Sequence, residues 1–146
     1  MGITKTYIAG PFFNKDEIEI VENIKNILNE LKIVYYSPKD ECLIKKRDSL
    51  EKIKYAYDLN LKAMDDCDLM IANIEGFDTG TIFEMGYFTK SNKPIIAFSS
   101  NPDRKLNIML SQSCIGFSNA YLDLKNIIYL FNENKYEKKE FAGEHF

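Results

Sequence analysis

The sequence has few of the residues that enzymes most often use for acid–base and redox chemistry. Its 146 residues include one histidine, His145, and three cysteines, Cys42, Cys67 and Cys114, which lie far apart and form no C-x-x-C pair. A multi-histidine metal site within one chain is therefore excluded, and the position of the single histidine next to the C-terminus argues against a Ser-His-Asp triad. Free thiols in a reducing compartment are expected from this cysteine pattern, which predicts a cytoplasmic protein. Acid–base chemistry must therefore rest mainly on carboxylates and tyrosines.

Long apolar runs and an excess of basic charge are also missing. No segment approaches the roughly 18 apolar residues of a membrane span, and residues 1–5 lack the architecture of a signal peptide. The formal net charge is −3, so the sequence carries no electrostatic footprint for nucleic acid. Glycine loops of the G-x-G-x-x-G and Walker types are absent. We therefore expect no membrane or nucleic-acid partner, no bound metal and no cofactor.

What is present predicts one α/β domain over residues 1–146. Hydrophobic residues make up 45% of the chain and charged residues 28%, as in ordinary globular proteins. Apolar runs predict strands at residues 4–9, 33–36, 69–74, 95–98 and 120–122. Helical periodicity predicts helices at residues 15–32, 50–64, 82–91, 106–110 and 124–132. This alternation favours a doubly wound parallel sheet of flavodoxin-like order 2-1-3-4-5, with residues 133–146 as a polar tail.

The stretch from Asp78 to Gly86 is the strongest candidate for a site. It follows the buried strand predicted at 69–74, and it leads into a helix with Glu84 in the expected first turn. Open α/β sheets place their chemistry at the carboxyl ends of strands, and a helix N-terminus favours an ionised carboxylate. Glu84 is therefore a candidate nucleophile. Thr81 to Glu84 also fits a capping box, in which the glutamate merely bonds a backbone N–H.

The predicted strand order brings the first strand and its loop beside this stretch. Tyr7 lies on that strand, and Gly10 begins a loop in which Phe12 and Phe13 follow Pro11. Gly10 is either a simple turn residue or a point at which a ligand approaches the backbone closely. The two phenylalanines either pack on the core or form a wall for a flat ligand.

Two acidic segments have less distinctive patterns. Asp58 lies one residue off the apolar stripe of the helix predicted from residue 50, at the border between its buried and exposed faces. Asp65, Asp66 and Asp68 precede the third strand, where they form either an acidic loop or a divalent metal site. The loop from residue 37 to residue 47 is long enough to cover a site, but its residues identify no chemistry.

Taken together, these features resemble the nucleoside 2-deoxyribosyltransferase family. The features are the run Tyr7–Phe13, Asp58, Asp78–Thr81 placed six residues ahead of Glu84–Gly86, and Leu106–Met109. The resemblance covers nearly the whole chain and keeps the motifs in the order and spacing of the family. It implies transfer of a 2-deoxyribosyl group between purine or pyrimidine bases, with small-molecule substrates only.

The resemblance also implies a role for each matching residue. Glu84 would attack C1′ and form a covalent deoxyribosyl ester, and a second base would then displace it with retention of the β-anomer. Tyr7 would orient Glu84, whereas Asp58 and Asp78 would lie near the base, with Asp58 favoured for proton transfer. Substrate contacts are implied for Gly10, Phe12, Phe13, Asn107 and Met109, with Asn107 supplied by a neighbouring subunit, and for the terminal carboxylate on Phe146, also in trans. Because these residues would come from a neighbouring subunit, the resemblance also implies a homo-oligomer, from a dimer to a hexamer.

The sequence departs from the family in two places, and it leaves two alternative functions open. The tail ends in Phe146 where the family often has tyrosine, and the loop at residues 37–47 does not match, which leaves purine against pyrimidine use undecided. The nearest alternative is a hydrolase that cleaves 2′-deoxynucleoside 5′-monophosphates with the same glutamate. Such an enzyme would need a phosphate-binding group near the first loop. This loop is apolar, and Lys15 is the basic residue closest to it in sequence. The second alternative is a non-catalytic nucleotide-binding module.

Overall fold

The computed structural model of the chain describes residues 2–45 and 47–146. The parts of the sequence predictions that fall on Met1 and Lys46 lie outside the described residues. Five parallel strands form one sheet in the order β2-β1-β3-β4-β5. The strands are β1 (Thr6–Ala9), β2 (Tyr35–Tyr36), β3 (Leu69–Asn73), β4 (Ile95–Phe98) and β5 (Gly116–Ser118). The predicted α/β fold and its strand order are confirmed.

Helices connect the strands and cover both faces of the sheet. They are α1 (Lys15–Glu30), α2 (Pro38–Glu41), α3 (Leu50–Asp66), α4 (Thr79–Lys90), α5 (Ile108–Ser113) and α6 (Tyr121–Asn132). None of the helices in the described part of the chain has the length and hydropathy that a membrane span requires.

Side-chain alternation along the central strands divides the core into two layers. Tyr7 and Met70 belong to the layer that packs under α3 and α4, whereas Ile8 and Ile71 belong to the layer under α1 and α6. All residues of β1 and β3 are buried, as expected for parallel strands covered on both faces. This arrangement holds the ends of β1 and β3 rigidly side by side.

Several element boundaries differ from the sequence prediction, and the largest differences are at β5 and α2. The fifth strand was expected at residues 120–122 but lies at Gly116–Ser118, and Ala120 is instead the N-cap of α6. Leu122 is 82% exposed on that helix, so its apolar side chain does not mark a strand. The four residues of α2 lie in the stretch that was expected to be a loop.

The start of α4 also differs from the prediction, and this changes the position of Glu84. Asp78 is the N-cap, and its carboxylate accepts hydrogen bonds from Thr81 N at 2.9 Å and Thr81 Oγ1 at 3.0 Å. Because Thr79 begins the helix, Glu84 lies in the second turn and not in the first. The alternative in which Glu84 closes a capping box with Thr81 is therefore wrong.

Candidate active site

A cavity of about 430 Å³ opens at the carboxyl ends of β1 and β3, between the first loop, α3 and α4. This is the place where the strand order reverses, at which open α/β sheets bind their ligands. Most of the surface is apolar, and the polar side chains come from α3 and the start of α4. The described lining residues include Gly10, Phe12, Phe13, Cys42, Tyr57, Asn60, Asp78, Phe83 and Glu84.

Glu84 and Tyr7 form the innermost polar pair of the site. Tyr7 is fully buried on β1, and its hydroxyl donates a hydrogen bond to Glu84 Oε2. The alternation of β1 points the ring of Tyr7 towards the layer that holds α4, and the second turn of α4 carries Glu84 above it. A tyrosine proton therefore fixes the orientation of one carboxylate oxygen.

Burial decides the charge state of Glu84. The pKa of its carboxyl is raised to about 7, chiefly because the group is removed from water; the Tyr7 hydrogen bond acts to lower the pKa, and the nearby negative charge of Asp78 acts to raise it. Burial, together with the charge of Glu84, also raises the pKa of the Tyr7 hydroxyl far above its ordinary value. The hydroxyl of Tyr7 is therefore always a donor at physiological pH, whereas Glu84 changes between its protonated and its ionised form.

Asp78 is the second carboxylate of the cavity. Both of its capping hydrogen bonds use Oδ2, and a Cβ on Gly80 would approach that oxygen to 3.2 Å. The glycine thus leaves room for the cap. The structure brings Asp78, Glu84 and Tyr7 together as the predicted strand order requires.

The first loop forms one wall of the cavity. Phe12 and Phe13 both line it, their ring centroids are 5.7 Å apart, and Phe13 is 78% exposed. Gly10 lies so close to β3 that an added Cβ would be 3.0 Å from the Cβ of Asn73. Glycine is therefore required here by the close approach of two strand ends.

A second set of side chains supports Tyr7, and sequence reasoning missed it. The rings of Tyr7 and Tyr36 are stacked with centroids 5.5 Å apart. The Tyr36 hydroxyl donates to Asn60 Oδ1 at 2.9 Å and lies 3.1 Å from Cys42 Sγ. The pairing of Tyr7 with Tyr36 in the register of β1 and β2 could have predicted this contact, because paired residues on adjacent strands share a face.

Several predicted site residues lie away from this cavity within the one chain described. Asp58 is exposed on α3, and it is not among the described residues that line the cavity. Asn107 is the N-cap of α5, where its side chain accepts from Leu110 N at 3.1 Å. Met109 is 73% exposed on the same helix. These three residues are available to solvent or to a neighbouring subunit.

The C-terminal tail packs on its own chain beside α5. Phe146 N donates to Leu106 O at 3.2 Å, and the Phe146 ring meets the ring of Phe77 edge-on with centroids 6.3 Å apart. Phe146 is nevertheless 72% exposed. The tail thus runs close to the turn that carries Asp78, and no neighbouring subunit is needed to hold it there.

The acidic segment before β3 is used within the fold. Asp68 accepts hydrogen bonds from Thr4 N at 2.9 Å and Thr4 Oγ1 at 2.8 Å, and Asp65 accepts from the Tyr87 hydroxyl at 2.9 Å. Across residues 2–45 and 47–146 there is no group of three or more His, Cys, Asp or Glu side chains that could hold a metal ion. These bonds favour the acidic-loop alternative over a metal site, except that Asp65 and Asp66 lie in the last turn of α3 and not in a loop.

Comparison with protein-family models gives one deciding observation. The model of the nucleoside 2-deoxyribosyltransferase family matches residues 6–138, which is most of the chain. The chain belongs to this family. The match contains Tyr7, Asp58, Asp78 and Glu84, and it ends before the last residues of the tail. Comparison with curated protein sequences gives no match.

Solved structures show the same family fold. A 2-deoxyribosyltransferase of Bacillus psychrosaccharolyticus is 24% identical with a TM-score of 0.84, covering 95% of this chain and 100% of its own. A conserved protein of Enterococcus faecalis V583 is 19% identical with a TM-score of 0.71, covering 88% and 99%. The CMP N-glycosidase of Clostridium botulinum is 16% identical with a TM-score of 0.57, covering 87% and 99%. At these identities the similarity shows the fold.

Proposed function

We propose that this family member transfers a 2-deoxyribosyl group between nucleobases through a covalent ester on Glu84. The observation that carries the proposal is the half-buried Glu84 carboxylate, held by the Tyr7 hydroxyl at the inner end of a base-sized cavity. A desolvated, oriented carboxylate is suited to attack on an electron-poor carbon. The absence of a 2′-hydroxyl on the sugar makes positive charge at C1′ easier to develop.

The reaction proceeds by two displacements at C1′. Glu84 forms a bond from a carboxylate oxygen to C1′ as the glycosidic bond to the base breaks, and the departing base takes up a proton. A second base then attacks C1′ from the vacated face, loses its proton and releases the Glu84 carboxylate. Two inversions retain the β-anomer, as in retaining glycosidases.

The source of the proton is one of the two predicted aspartates. Asp78 lines the cavity, whereas Asp58 is exposed on α3. The role of Asp58 in proton transfer stays a prediction from the family resemblance. The position of Asp78 beside Glu84 supports a role in holding the base or its proton.

Assembly into an oligomer is part of this proposal. Asn107, Met109 and Phe146 are all exposed in the single chain, so each is accessible to a neighbouring site. The family resemblance assigns Asn107 and the tail to the neighbour's substrate, which would make the cavity complete only in a dimer or a larger assembly. A role in cytoplasmic nucleoside salvage belongs to the same proposal.

Hydrolysis of a nucleotide is the second candidate, and the similarity in fold to a CMP N-glycosidase favours it. Enzymes commonly hold a 5′-monophosphate with an arginine or a lysine. No lysine or arginine occurs among the described residues that line the cavity. The apolar lining therefore supports a nucleoside over a nucleotide as substrate.

A base-exchange assay tests the proposal directly. Purified protein is incubated with deoxyinosine and free adenine, and the products are separated by chromatography. Parallel reactions contain deoxyinosine alone and deoxyinosine monophosphate alone. We expect deoxyadenosine and hypoxanthine in equal amounts from the first reaction, and no deoxyadenosine with the Glu84→Ala variant.

Each other outcome contradicts the proposal in a different way. Cleavage of the monophosphate alone would favour the hydrolase. Exchange by Glu84→Ala at the wild-type rate would contradict the covalent ester. Absence of any reaction, with thymidine tried as a second donor, would favour a binding module.

A further inference from the structure

Asn60 is a polar side chain of the cavity to which the proposed reaction assigns no task. It lies on α3, half-buried, on the helix face that also presents Tyr57 and Met64 to the cavity. Among the described residues that line the cavity it carries the only carboxamide. A carboxamide in an otherwise apolar wall is suited to recognise a nucleobase, because bases differ mainly in the donors and acceptors on their edges.

A chain of hydrogen bonds fixes which end of this carboxamide is free. The Cys42 thiol donates its one proton to Ala56 O, with Sγ 3.6 Å from that oxygen. The Tyr36 hydroxyl donates its one proton to Asn60 Oδ1 at 2.9 Å. Oδ1 keeps a second lone pair, but one side of it is taken by Tyr36. Nδ2 makes no hydrogen bond among the described residues, so the group that Asn60 has wholly free for a ligand is its amide NH2, which only donates.

This polarity disfavours the usual pairing of asparagine with adenine. A free carboxamide bonds adenine by accepting from the 6-amino group and donating to N7. In Asn60 the acceptor is already shared with the Tyr36 hydroxyl, which weakens that arrangement. A 6-oxopurine presents two acceptors, O6 and N7, on the same edge, and thymine or uracil presents O4. The donor of Asn60 therefore matches bases with an oxo group in that position.

We propose that Asn60 is a specificity-determining residue that selects oxo nucleobases over amino nucleobases. The proposal rests on the proposed function, since it assigns the base end of the cavity to α3. Tyr36 is then a positioning residue, because its hydroxyl holds the polarity of Asn60. It also links the base end of the cavity to the reacting end, since its ring stacks on Tyr7.

Binding to a Glu84→Gln variant tests the inference without any chemistry. Dissociation constants for deoxyinosine and deoxyadenosine are measured by titration calorimetry. The ratio compared between variants is the constant for deoxyadenosine divided by the constant for deoxyinosine. We expect the parent to bind deoxyinosine more tightly, by about fivefold or more, the scale of one neutral hydrogen bond. Asn60→Asp keeps the shape and the acceptor for Tyr36 but removes the donor, so we expect the ratio to fall below one.

Two tyrosine variants separate polarity from packing. Tyr36→Phe removes the hydroxyl that occupies Oδ1, which frees the carboxamide to turn over, and we expect the ratio to move towards one. Tyr35→Phe is the matched control, because Tyr35 lies on the same strand but packs in the opposite core layer. The control should keep the parent ratio.

The inference is overturned if Asn60→Asp weakens both nucleosides equally, if the ratio does not change, or if the parent binds neither. Its failure is distinct from failure of the proposed function. Base exchange by the wild type with an unchanged binding ratio in Asn60→Asp contradicts the specificity role alone. Selective binding without base exchange by the wild type contradicts the transferase alone.

Discussion

Two glutamates that follow the same strand have opposite surroundings and opposite chemical character. Glu75 comes two residues after the end of β3, and Glu84 lies nine residues further on in α4. Both lie near the carboxyl edge of the sheet, where either could have been chosen as a catalytic carboxylate from position alone. Their partners distinguish them.

Glu75 is surrounded by donors. Its carboxylate accepts from Ser99 Oγ at 2.7 Å and from Ser100 N at 3.1 Å, and Arg104 lies 3.6 Å away. Burial acts to raise the pKa of Glu75, but these hydrogen bonds and the charge of Arg104 outweigh it and lower the pKa below its ordinary value. Glu75 is therefore a stable anion that ties the loop after β4 to the turn after β3.

Arg104 extends that tie towards the site. Its guanidinium donates to the carbonyl oxygen of Glu75 and lies over the ring of Phe77 at 4.6 Å. Phe77 precedes the Asp78 cap and has a left-handed backbone, with φ of 51°. The satisfied carboxylate thus supports the strained turn, whereas the poorly satisfied Glu84 is left reactive. This contrast separates a structural acid from the proposed nucleophile.

Replacing each glutamate by glutamine is expected to separate the two roles most sharply. Glu84→Gln keeps the shape but cannot attack C1′, so the rate of base exchange should fall by about 10³-fold or more, the scale of losing a nucleophile. Glu75→Gln should retain exchange, because Glu75 does not touch the cavity. Initial rates measured by chromatography check both variants. Equal losses in the two variants would contradict the assignment.

Much of this site could be predicted because parallel strands bring their carboxyl ends together. The alternation of strands and helices predicted the strand order, and that order placed Tyr7 and Gly10 beside Asp78 and Glu84. The start of α4 could not be decided, since Asp78 and Thr81 are both good N-cap residues. In the structure the Asp78 carboxylate accepts from Thr81 N, which makes Asp78 the cap, and it also accepts from the Thr81 hydroxyl.

Other features depend on contacts that no local pattern contains. The contact between Tyr36 and Asn60 joins β2 to α3 across 24 residues of sequence, and it requires the exact directions of two side chains. The exposed residues Leu50, Ile53 and Tyr57 belong to the predicted apolar stripe of α3, yet the residues that this helix buries are Ala56, Ala63 and Met64. Periodicity predicted the helix but not how far its stripe is covered.

Tyr7→Phe is expected to change the pH dependence of exchange. The wild-type rate should rise with pH through an apparent pKa of about 7, because Glu84 must lose its proton before it attacks. The Tyr7 hydrogen bond lowers the pKa of Glu84, so its removal should move that rise to higher pH. At pH 7 we expect a loss of about tenfold, the scale of a hydrogen bond to a charged group.

A pH profile of kcat/KM distinguishes this electrostatic effect from loss of structure. Tyr35→Phe is the matched control, and it should leave the profile where the wild type has it. A Tyr7→Phe enzyme that is slower at every pH, without a shift of the rising limb, would mean that the hydroxyl supports packing only.

A further expected effect is a difference in stability that has opposite signs at the two glutamates. For Glu84 the folded-state pKa, about 7, lies above its ordinary value of 4.5. The folded state therefore binds more protons than the unfolded state between these values, and stability falls as pH rises through that window. Because glutamine carries no charge to desolvate, Glu84→Gln should be more stable than the wild type at pH 8, by about 2 kcal/mol, and equal to it near pH 4.

Glu75→Gln should behave in the reverse way. Its lowered pKa stabilises the fold above the ordinary value of 4.5, and that contribution is lost as pH falls through the folded pKa. The variant should therefore be less stable than the wild type at pH 8 and approach it in acid. Urea unfolding of the three proteins at pH 4, 6 and 8 measures both differences. If the two variants shift in the same direction at pH 8, the contrast between a destabilised nucleophile and a stabilising anion is wrong, whatever their rates of base exchange.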